Sequence, residues 1–201
     1  MVMASTLYHA HAFVDGGYLR ELARGSDQPL VNPRMLANNI VFDNQVQTWG
    51  SVEAAGRSTA LARVIYYDAR PDVDEEVPAH LLAYWDAIEL LNDTELGFGS
   101  LRGGTKRRPP RQKAVDTLLA VDMLVGAFSR LFQVAILVAG DADFVPVVNE
   151  VRRRGVMVTV AASERSMSLD LRRSADRFIA VGPELEARWF PPLQVNGKTW
   201  R

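Results

Sequence analysis

The chain has 201 residues, 48% of them hydrophobic, and a formal net charge of −1. This length and apolar content suit one domain with one well-filled core, so a single active site is expected. Because the net charge is close to zero, affinity for a nucleic acid would have to come from a local basic patch. The chain has no cysteine, which excludes disulfides, thiolate nucleophiles and cysteine-ligated metal centres.

No signal for export or membrane insertion is present in the sequence. The amino terminus lacks a basic region followed by a sustained apolar run, and no stretch of about 18 apolar residues is free of charge. We therefore expect no contact with a membrane. The absence of cysteine fits a reducing environment, so a cytoplasmic location is expected.

The first elements along the chain are two predicted strands with a helix between them. Residues 8–14 are mainly apolar, with two histidines, and stop at Asp15-Gly16-Gly17, which is typical of a buried strand that meets a sharp turn. Asn32-Pro33 is typical of a capped helix start. Residues 60–67 form the second predicted strand, and Asp68 follows it directly.

The middle of the chain changes from helical spacing to loop composition. Apolar residues recur at helical intervals over 74–91 behind an acidic first turn, which predicts a crossover helix. Residues 94–101 contain glycines and predict a weak strand at a sheet edge. Residues 102–112 are rich in Gly, Pro, Arg and Lys, which predicts a loop.

The last part of the chain repeats the alternation of helix and strand. Residues 113–128 predict a helix, and 134–139 form the clearest central strand because every residue is apolar. A helix over 144–154 is expected to stop at Gly155. Two strands with a short helix near Leu169 and Leu171 between them complete the pattern, over 156–161 and 178–181.

Strands separated by helices predict a central, mainly parallel sheet with right-handed crossovers and helices on both faces. The expected architecture is therefore a three-layer α/β/α sandwich, formed by a domain over 1–182 and followed by a carboxyl-terminal tail over 183–201. The aromatic residues Trp189, Phe190 and Trp200 in this tail are expected to pack on the domain or on another subunit, which leaves a homodimer possible.

Several aspartates are expected to meet at one edge of this sheet. Asp15, Asp68 and Asp141 each follow a predicted strand, and ligands bind beyond the carboxyl ends of parallel strands. Asp143 lies two residues after Asp141, and Asp116 lies in the first turn of the helix before the central strand. Carboxylates brought together repel unless a cation neutralises them, and oxygen ligands favour Mg²⁺ or Mn²⁺.

Such a cation would polarise a phosphoryl oxygen and activate water, which is the chemistry of phosphodiester hydrolysis without a protein nucleophile. The alternative for any single aspartate is a structural one, since Asp143 is well placed to cap a helix that begins at Phe144. Three separate segments that end at the same edge favour the metal site.

Several short motifs occur in this chain over these runs: 13–19 (FVDGGYL), 113–116 (KAVD) through Asp122, 140–144 (GDADF), Arg154-Gly155, 66–68 (YYD) and 174–178 (SADRF). As an ordered set they resemble the NYN domain family, in its LabA-like branch of the PIN-like nuclease superfamily, and the resemblance covers about 13–181. It implies a PIN-like fold and a metal-dependent RNA nuclease. Two departures are Tyr18, where relatives often carry Asn, and Ala139, where Ser is common.

The resemblance also implies which residues hold the metal and carry catalysis. These positions match the acids found above, namely Asp15, Asp116, Asp141 and Asp143. Tyr18 and Asp68 are expected nearby, as supporting groups or phosphate contacts.

Other charged residues near these motifs have two readings each. Lys113 is three residues before Asp116 and so lies on nearly the same face of a helix, where it would contact a phosphate or stay solvated. Asp122 lies off that face and is expected to be a structural or supporting acid. A basic loop is expected to bind RNA beside the metal, although charged loops are often only solvated. Its basic residues are Arg102, Lys106, Arg107, Arg108 and Arg111.

The sequence thus predicts a Mg²⁺- or Mn²⁺-dependent endoribonuclease acting on single-stranded or looped RNA. One alternative is a non-catalytic RNA-binding or regulatory module, with Tyr18 as the reason for lost metal geometry. Another is a phosphatase or nucleotidase, because the same metal chemistry acts on small phosphoesters.

Overall fold

A seven-stranded sheet forms the centre of the protein in the computed structural model, which describes residues 6–23, 30–49, 57–71, 77–102, 111–181, 191–195 and 198–200. Runs of β-branched and other apolar residues form most of its strands. Its strands are β1 (Thr6–Asp15), β2 (Arg57–Pro71), β3 (Thr94–Arg102), β4 (Arg111–Lys113), β5 (Val134–Val138), β6 (Met157–Ala162) and β7 (Arg177–Ala180).

Helices connect the strands and cover both faces of the sheet. Their bounds are α1 (Gly16–Ala23), α2 (Pro33–Trp49), α3 (Ala79–Glu89), α4 (Val115–Phe128), α5 (Val145–Arg153) and α6 (Leu169–Ser174), with one 3₁₀ turn at Ala142–Phe144. The predicted helix starts and stops are confirmed at two places. Asn32 Oδ1 accepts a hydrogen bond from the backbone N–H of Met35 at 3.0 Å, and α5 is followed by Gly155 with a φ of 81°.

Two hydrophobic cores lie on opposite faces of the sheet. In β5, Ile136 and Val138 belong to the core under α1, α2 and α3. The alternate residues Ala135 and Leu137 belong to the core under α4, α5 and α6. Because successive strand residues face opposite sides, this division confirms the predicted three-layer α/β/α sandwich.

The strand order places a switch point between β1 and β5. The sheet runs β4-β3-β2-β1-β5-β6-β7, with β4 antiparallel to β3 and the other pairs parallel. Therefore β2 and β3 lie on one side of β1, and β5, β6 and β7, which come later in the chain, lie on the other side. Open α/β sheets bind ligands beyond the carboxyl ends of the strands at such a point.

Two predictions around residues 94–113 are wrong. The strand β3 is not at the edge of the sheet, because β4 pairs with it through Ser100↔Lys113 and Arg102↔Arg111. Lys113 therefore lies on a strand and not on the predicted helix. The backbone of Ala114 then adopts a left-handed φ of 73°, so α4 begins only at Val115, and the argument that Lys113 shares a helical face with Asp116 fails.

Two predicted boundaries in the second crossover also move. Residues 77–78 are not helical, and α3 begins at Ala79 after Pro78, so the expected acidic first turn is not part of it. The strand β2 runs on to Pro71, which places Asp68 inside the strand and not after it.

The end of the chain packs against the domain. Two short strands, β8 (Leu193–Val195) and β9 (Lys198–Trp200), form an antiparallel pair. Leu193 is buried in the core, and the backbone N–H of Asn32 donates to the carbonyl oxygen of Pro191 at 2.7 Å. Trp189 and Phe190 lie outside the described residues, so the homodimer stays a prediction.

In the part of the chain that the structure describes, no helix is long and apolar enough to cross a membrane.

Candidate active site

Asp15 is the last residue of β1, at the carboxyl edge of the sheet. Its Oδ1 accepts a hydrogen bond from the backbone N–H of Tyr18 at 3.0 Å, in the first turn of α1. The pKa of the Asp15 carboxyl is raised to about 6, mainly by burial and to a smaller extent by the charges of Asp116 and Asp68, which together outweigh the lowering effect of its backbone hydrogen bonds. Asp15 is thus a half-buried acid whose negative charge is destabilised by its surroundings.

Asp141 and Asp143 follow β5, the strand beside β1. Asp141 is extended, and its Oδ1 accepts from the backbone N–H of Asp143 at 3.1 Å, so Asp141 caps the 3₁₀ turn. The sequence offered Asp143 as a capping residue only as the alternative to a metal ligand, and in the structure Asp141 caps the turn instead. Both residues are exposed, so their carboxylates are accessible at the carboxyl edge of the sheet. We call this edge, with Asp15, Asp116, Asp141 and Asp143, the rim.

Asp116 lies on α4, which covers the face of the sheet opposite to α1. It lies in the first turn of α4, where a negative charge is favoured by the helix dipole. Partial desolvation raises the pKa of its carboxyl, and the charges of Asp141 and Asp143 raise it further. Since Asp116 also raises the pKa of Asp15, the four acids interact as one electrostatic group, drawn from three separate segments.

These oxygen donors match a hard divalent cation in chemistry. Within the described ranges, no three acidic or histidine side chains are close enough together to enclose one ion. Mg²⁺ commonly keeps several waters and takes only one or two carboxylates from the protein, so neighbouring carboxylates at an open rim fit such an ion without a closed cage.

The profile of the NYN domain family matches residues 13–185. The chain belongs to the NYN domain family. This match spans all four acids of the rim, and the family is grouped with the PIN-like nucleases, so nuclease chemistry is the activity class that membership favours. No curated protein matches this NYN domain.

A solved structure supports the fold of this NYN domain. A protein of unknown function from Vibrio parahaemolyticus is 16% identical, with a TM-score of 0.55, and the match covers 94% of this chain and 99% of that one. Homoserine dehydrogenase of S. aureus matches at 10% identity and a TM-score of 0.35, covering 87% of this chain and 33% of that one. The similarity to the Vibrio protein concerns the fold alone, and the similarity to the dehydrogenase is too low to support any conclusion.

Asp68 has a different setting from the rim acids of this NYN domain. It is 1% exposed and forms a bidentate ion pair with Arg20 of α1. Trp85 Nε1 donates to its Oδ2 at 2.8 Å, and its own neighbour Ala69 donates a backbone N–H to Oδ1 at 2.8 Å. Its oxygens are therefore already occupied in the interior, which makes a structural role between α1, β2 and α3 the simplest description.

Tyr18 connects the segments that carry the rim acids. Its phenol oxygen accepts from the backbone N–H of Ser163 at 3.0 Å and is hydrogen-bonded to Ser166 Oγ at 3.2 Å. A Cβ added at Gly140 would lie 2.6 Å from the Tyr18 ring, so only glycine allows this close approach between α1 and the turn after β5. Tyr18 is thus a packed and hydrogen-bonded part of the rim.

The other predicted site residues lie on α4, on β3 and β4, or outside the described part of the chain. Asp122 Oδ2 accepts from Tyr67 Oη at 3.0 Å, which fits the expected supporting role between α4 and β2. Arg102 and Arg111 face each other across β3 and β4, at the carboxyl end of β3. Lys106, Arg107 and Arg108 lie outside the described residues.

The loop after β6 was not predicted as part of the site. Residues 163–168 follow the carboxyl end of that strand. Of these, residues 165–168 line, together with α1 and the turn after β5, a cleft of about 570 Å³ beside Asp141. The rule that ligands bind beyond strand ends applied to this serine-rich segment as much as to the aspartates. It was overlooked because its residues carry no metal-ligating motif.

Proposed function

We propose that this NYN domain is a metal-dependent ribonuclease that hydrolyses phosphodiester bonds within RNA, with Asp15, Asp116, Asp141 and Asp143 as its catalytic and metal-binding residues. One observation carries the proposal. The four acids come from three segments at the carboxyl edge of the sheet, and the pKa values of Asp15 and Asp116 are raised in part by acidic neighbours. Such a cluster is unfavourable for the fold alone and is typical of a site built for a cation.

Each residue has a role consistent with its position. One or two of the exposed carboxylates of Asp116, Asp141 and Asp143 would bind the cation directly and the remainder through its waters. The cation when bound would supply a Lewis acid for the phosphoryl oxygen and the attacking water. Asp15 is less exposed and has a pKa of about 6, so at neutral pH its carboxylate is ionised and suited to accept a proton. Mg²⁺ and Mn²⁺ both suit this all-oxygen donor set.

RNA is the substrate that family membership favours. The basic residues Arg102 and Arg111 stand where β3 and β4 meet, at the same edge of the sheet as the acids, and cations near the site would bind the phosphate backbone. We include Lys106, Arg107 and Arg108 in this RNA-binding set, and we place the chain in the LabA-like branch and in the cytoplasm.

Cleavage of end-labelled single-stranded RNA tests the proposal. Wild-type protein is incubated with EDTA, Mg²⁺ or Mn²⁺, and internal fragments are expected only with a metal. An excess of mononucleotides is added in parallel, because a phosphatase or nucleotidase would be inhibited and a ribonuclease much less so. Metal-independent fragments, or release of phosphate from mononucleotides in place of RNA cleavage, would contradict the proposal.

A second function is favoured by the open geometry of the rim. No three metal-ligating side chains enclose a single position among the described residues, which is what a non-catalytic RNA-binding domain of this family would look like. RNA binding without cleavage under every metal condition would support that function.

A further inference from the structure

A cleft of about 570 Å³ opens beside Asp141 at the carboxyl edge of three neighbouring strands. Tyr18 and Glu21 line it from α1, after β1, and Asp141 lines it from the turn after β5. Arg165, Ser166 and Met167 line it from the loop after β6. Since β1, β5 and β6 are adjacent in the sheet, the cleft occupies the switch point itself.

The volume and the lining of this cleft suit a small organic ligand. Ligand sites typically have volumes of about 300–1,000 Å³ and combine apolar walls with a few polar groups. Here Met167 and the Tyr18 ring supply apolar surface, Ser166 supplies a hydroxyl, and Arg165 supplies a guanidinium. A guanidinium both pairs with phosphate and stacks on planar rings.

The acids in the lining limit what the ligand can be. Glu21 and Asp141 are carboxylates in the same cleft as Arg165, so a small free anion such as phosphate would meet two negative charges and one positive charge. A ligand with an uncharged body and a single phosphate at its end fits better, because the body can contact Met167 and Ser166. A nucleotide within a longer chain has this composition.

We propose that this cleft holds one unpaired nucleotide of RNA, next to the phosphate that lies at the acidic rim. This inference rests on the proposed ribonuclease function and names the part of the substrate that the loop after β6 recognises. Arg165 contacts the phosphate of the bound nucleotide, while Met167 and Tyr18 contact its base. A base inside a cleft cannot remain stacked in a duplex, so the cleft selects single-stranded or looped RNA.

The test measures binding separately from cleavage. The parent is Asp116→Asn in Mg²⁺, because Asp116 does not line the cleft and its loss is expected to stop turnover. Fluorescence anisotropy reports affinity for a labelled single-stranded RNA of about 10 nucleotides, a length within the usual site sizes for single strands. A hairpin with the same bases paired provides the duplex comparison.

Two variants probe the cleft, and one controls for charge. Arg165→Gln removes the guanidinium, and Ser166→Trp fills the cleft. Arg153→Gln removes an equal charge from the last turn of α5, where the side chain is 74% exposed and paired with Glu150. This turn lies at the opposite edge of the sheet. Thermal unfolding of each variant establishes that it is folded.

Arg165→Gln is expected to weaken binding about 10-fold and to reduce the slope of log affinity against log salt by about 0.7, the value for one phosphate contact to a single strand. Ser166→Trp is expected to weaken binding to a similar extent. Arg153→Gln should change neither quantity by more than about twofold. The hairpin should bind the parent at least about 10-fold more weakly than the single strand.

Unchanged affinity and salt slope in Arg165→Gln would overturn the inference, as would equal binding of hairpin and single strand or no RNA binding by the parent. The outcome is distinguishable from failure of the ribonuclease proposal. If wild type never cleaves RNA but Arg165→Gln still loses binding, the cleft is an RNA site in a non-catalytic domain. If wild type cleaves and Arg165→Gln binds normally, only the cleft assignment fails.

Discussion

The backbone N–H of Tyr18 donates to Asp15 Oδ1 at 3.0 Å, while the side chain of the same residue reaches the loop after β6. Tyr18 therefore links the acid at the end of β1 to the cleft beside Asp141. In this chain the spacing between the first motif and the loop after β6 depends on one tyrosine.

Removing the Tyr18 hydroxyl should affect activity more than stability. Tyr18→Phe leaves the backbone N–H of Ser163 without its partner, which costs about 1–2 kcal/mol of unfolding free energy. Because the loop after β6 is released, RNA cleavage should fall by about 10-fold or more. Tyr84→Phe is the matched control, since it removes a hydroxyl that donates to the carbonyl oxygen of Val31 at 2.8 Å, away from this loop. Denaturation and cleavage rates of both variants check the prediction; equal activity losses would contradict it.

The ionised form of Asp15 should destabilise the fold when no metal is present. Its pKa is raised from 3.8 to about 6, so between these values the folded state binds more protons than the unfolded state. Stability from this group is therefore present at low pH and is lost as pH rises through about 6. Asp15→Asn removes the charge, and in EDTA at about pH 8 it should be more stable than wild type by about 1–2 kcal/mol.

Urea denaturation of both proteins across pH measures this difference, which should disappear below about pH 4. A variant less stable than wild type at every pH would mean that the Asp15 charge is satisfied within the folded protein.

Divalent cations should stabilise the wild-type protein through the same acids. A cation at about 100 times its dissociation constant adds about 2.7 kcal/mol, which raises the melting temperature of a protein of this size by about 5–10 °C. Asp116→Asn and Asp141→Asn should lose most of this increase, whereas Asp86→Asn, an exposed aspartate of α3, should keep it. Thermal unfolding in EDTA, Mg²⁺ and Mn²⁺ gives the comparison without any activity. An equal increase in all four proteins would place the cation elsewhere.

Asp68 should behave as a structural acid and not as part of the rim. Asp68→Asn leaves Arg20 without its buried partner, and breaking a buried ion pair costs about 3–5 kcal/mol. Cleavage per folded molecule should stay within about threefold of wild type, because the Asp68 carboxylate is hydrogen-bonded to Arg20, Trp85 and its neighbour Ala69. Its charge makes the smallest of the contributions to the raised pKa of Asp15. Denaturant unfolding and the rate at saturating RNA separate the two effects. Full stability with lost cleavage would instead make Asp68 part of the site.

The same residue illustrates what the sequence could and could not predict. The strands were predictable because most are apolar runs buried on both faces, as in Val134–Val138. The aspartates at strand ends were also predictable, since Asp15 and Asp141 follow such runs directly. Asp68 looked equivalent, but Arg20 and Trp85 reach it from distant parts of the chain, and no local pattern predicts such partners.

The prediction that Lys113 lies on a helix was wrong for a related reason. Arg111–Lys113 has little intrinsic preference for a strand, and it becomes one because the exposed edge of β3 offers backbone donors and acceptors to it. Tertiary pairing thus overrides the helical pattern that begins nearby. The cleft beside Asp141 could not be predicted from the sequence either, because α1, the turn after β5 and the loop after β6 form it together.

The central claim is that the rim acids carry metal-dependent RNA cleavage, and one comparison tests it most directly. Wild type, Asp116→Asn and Asp86→Asn are purified in parallel and incubated with end-labelled single-stranded RNA in EDTA, Mg²⁺ and Mn²⁺. We expect metal-dependent internal cleavage by wild type and Asp86→Asn, and at least about a 100-fold loss in Asp116→Asn with its fold intact. Cleavage by Asp116→Asn at the wild-type rate, or no cleavage by wild type with either metal, would contradict the account.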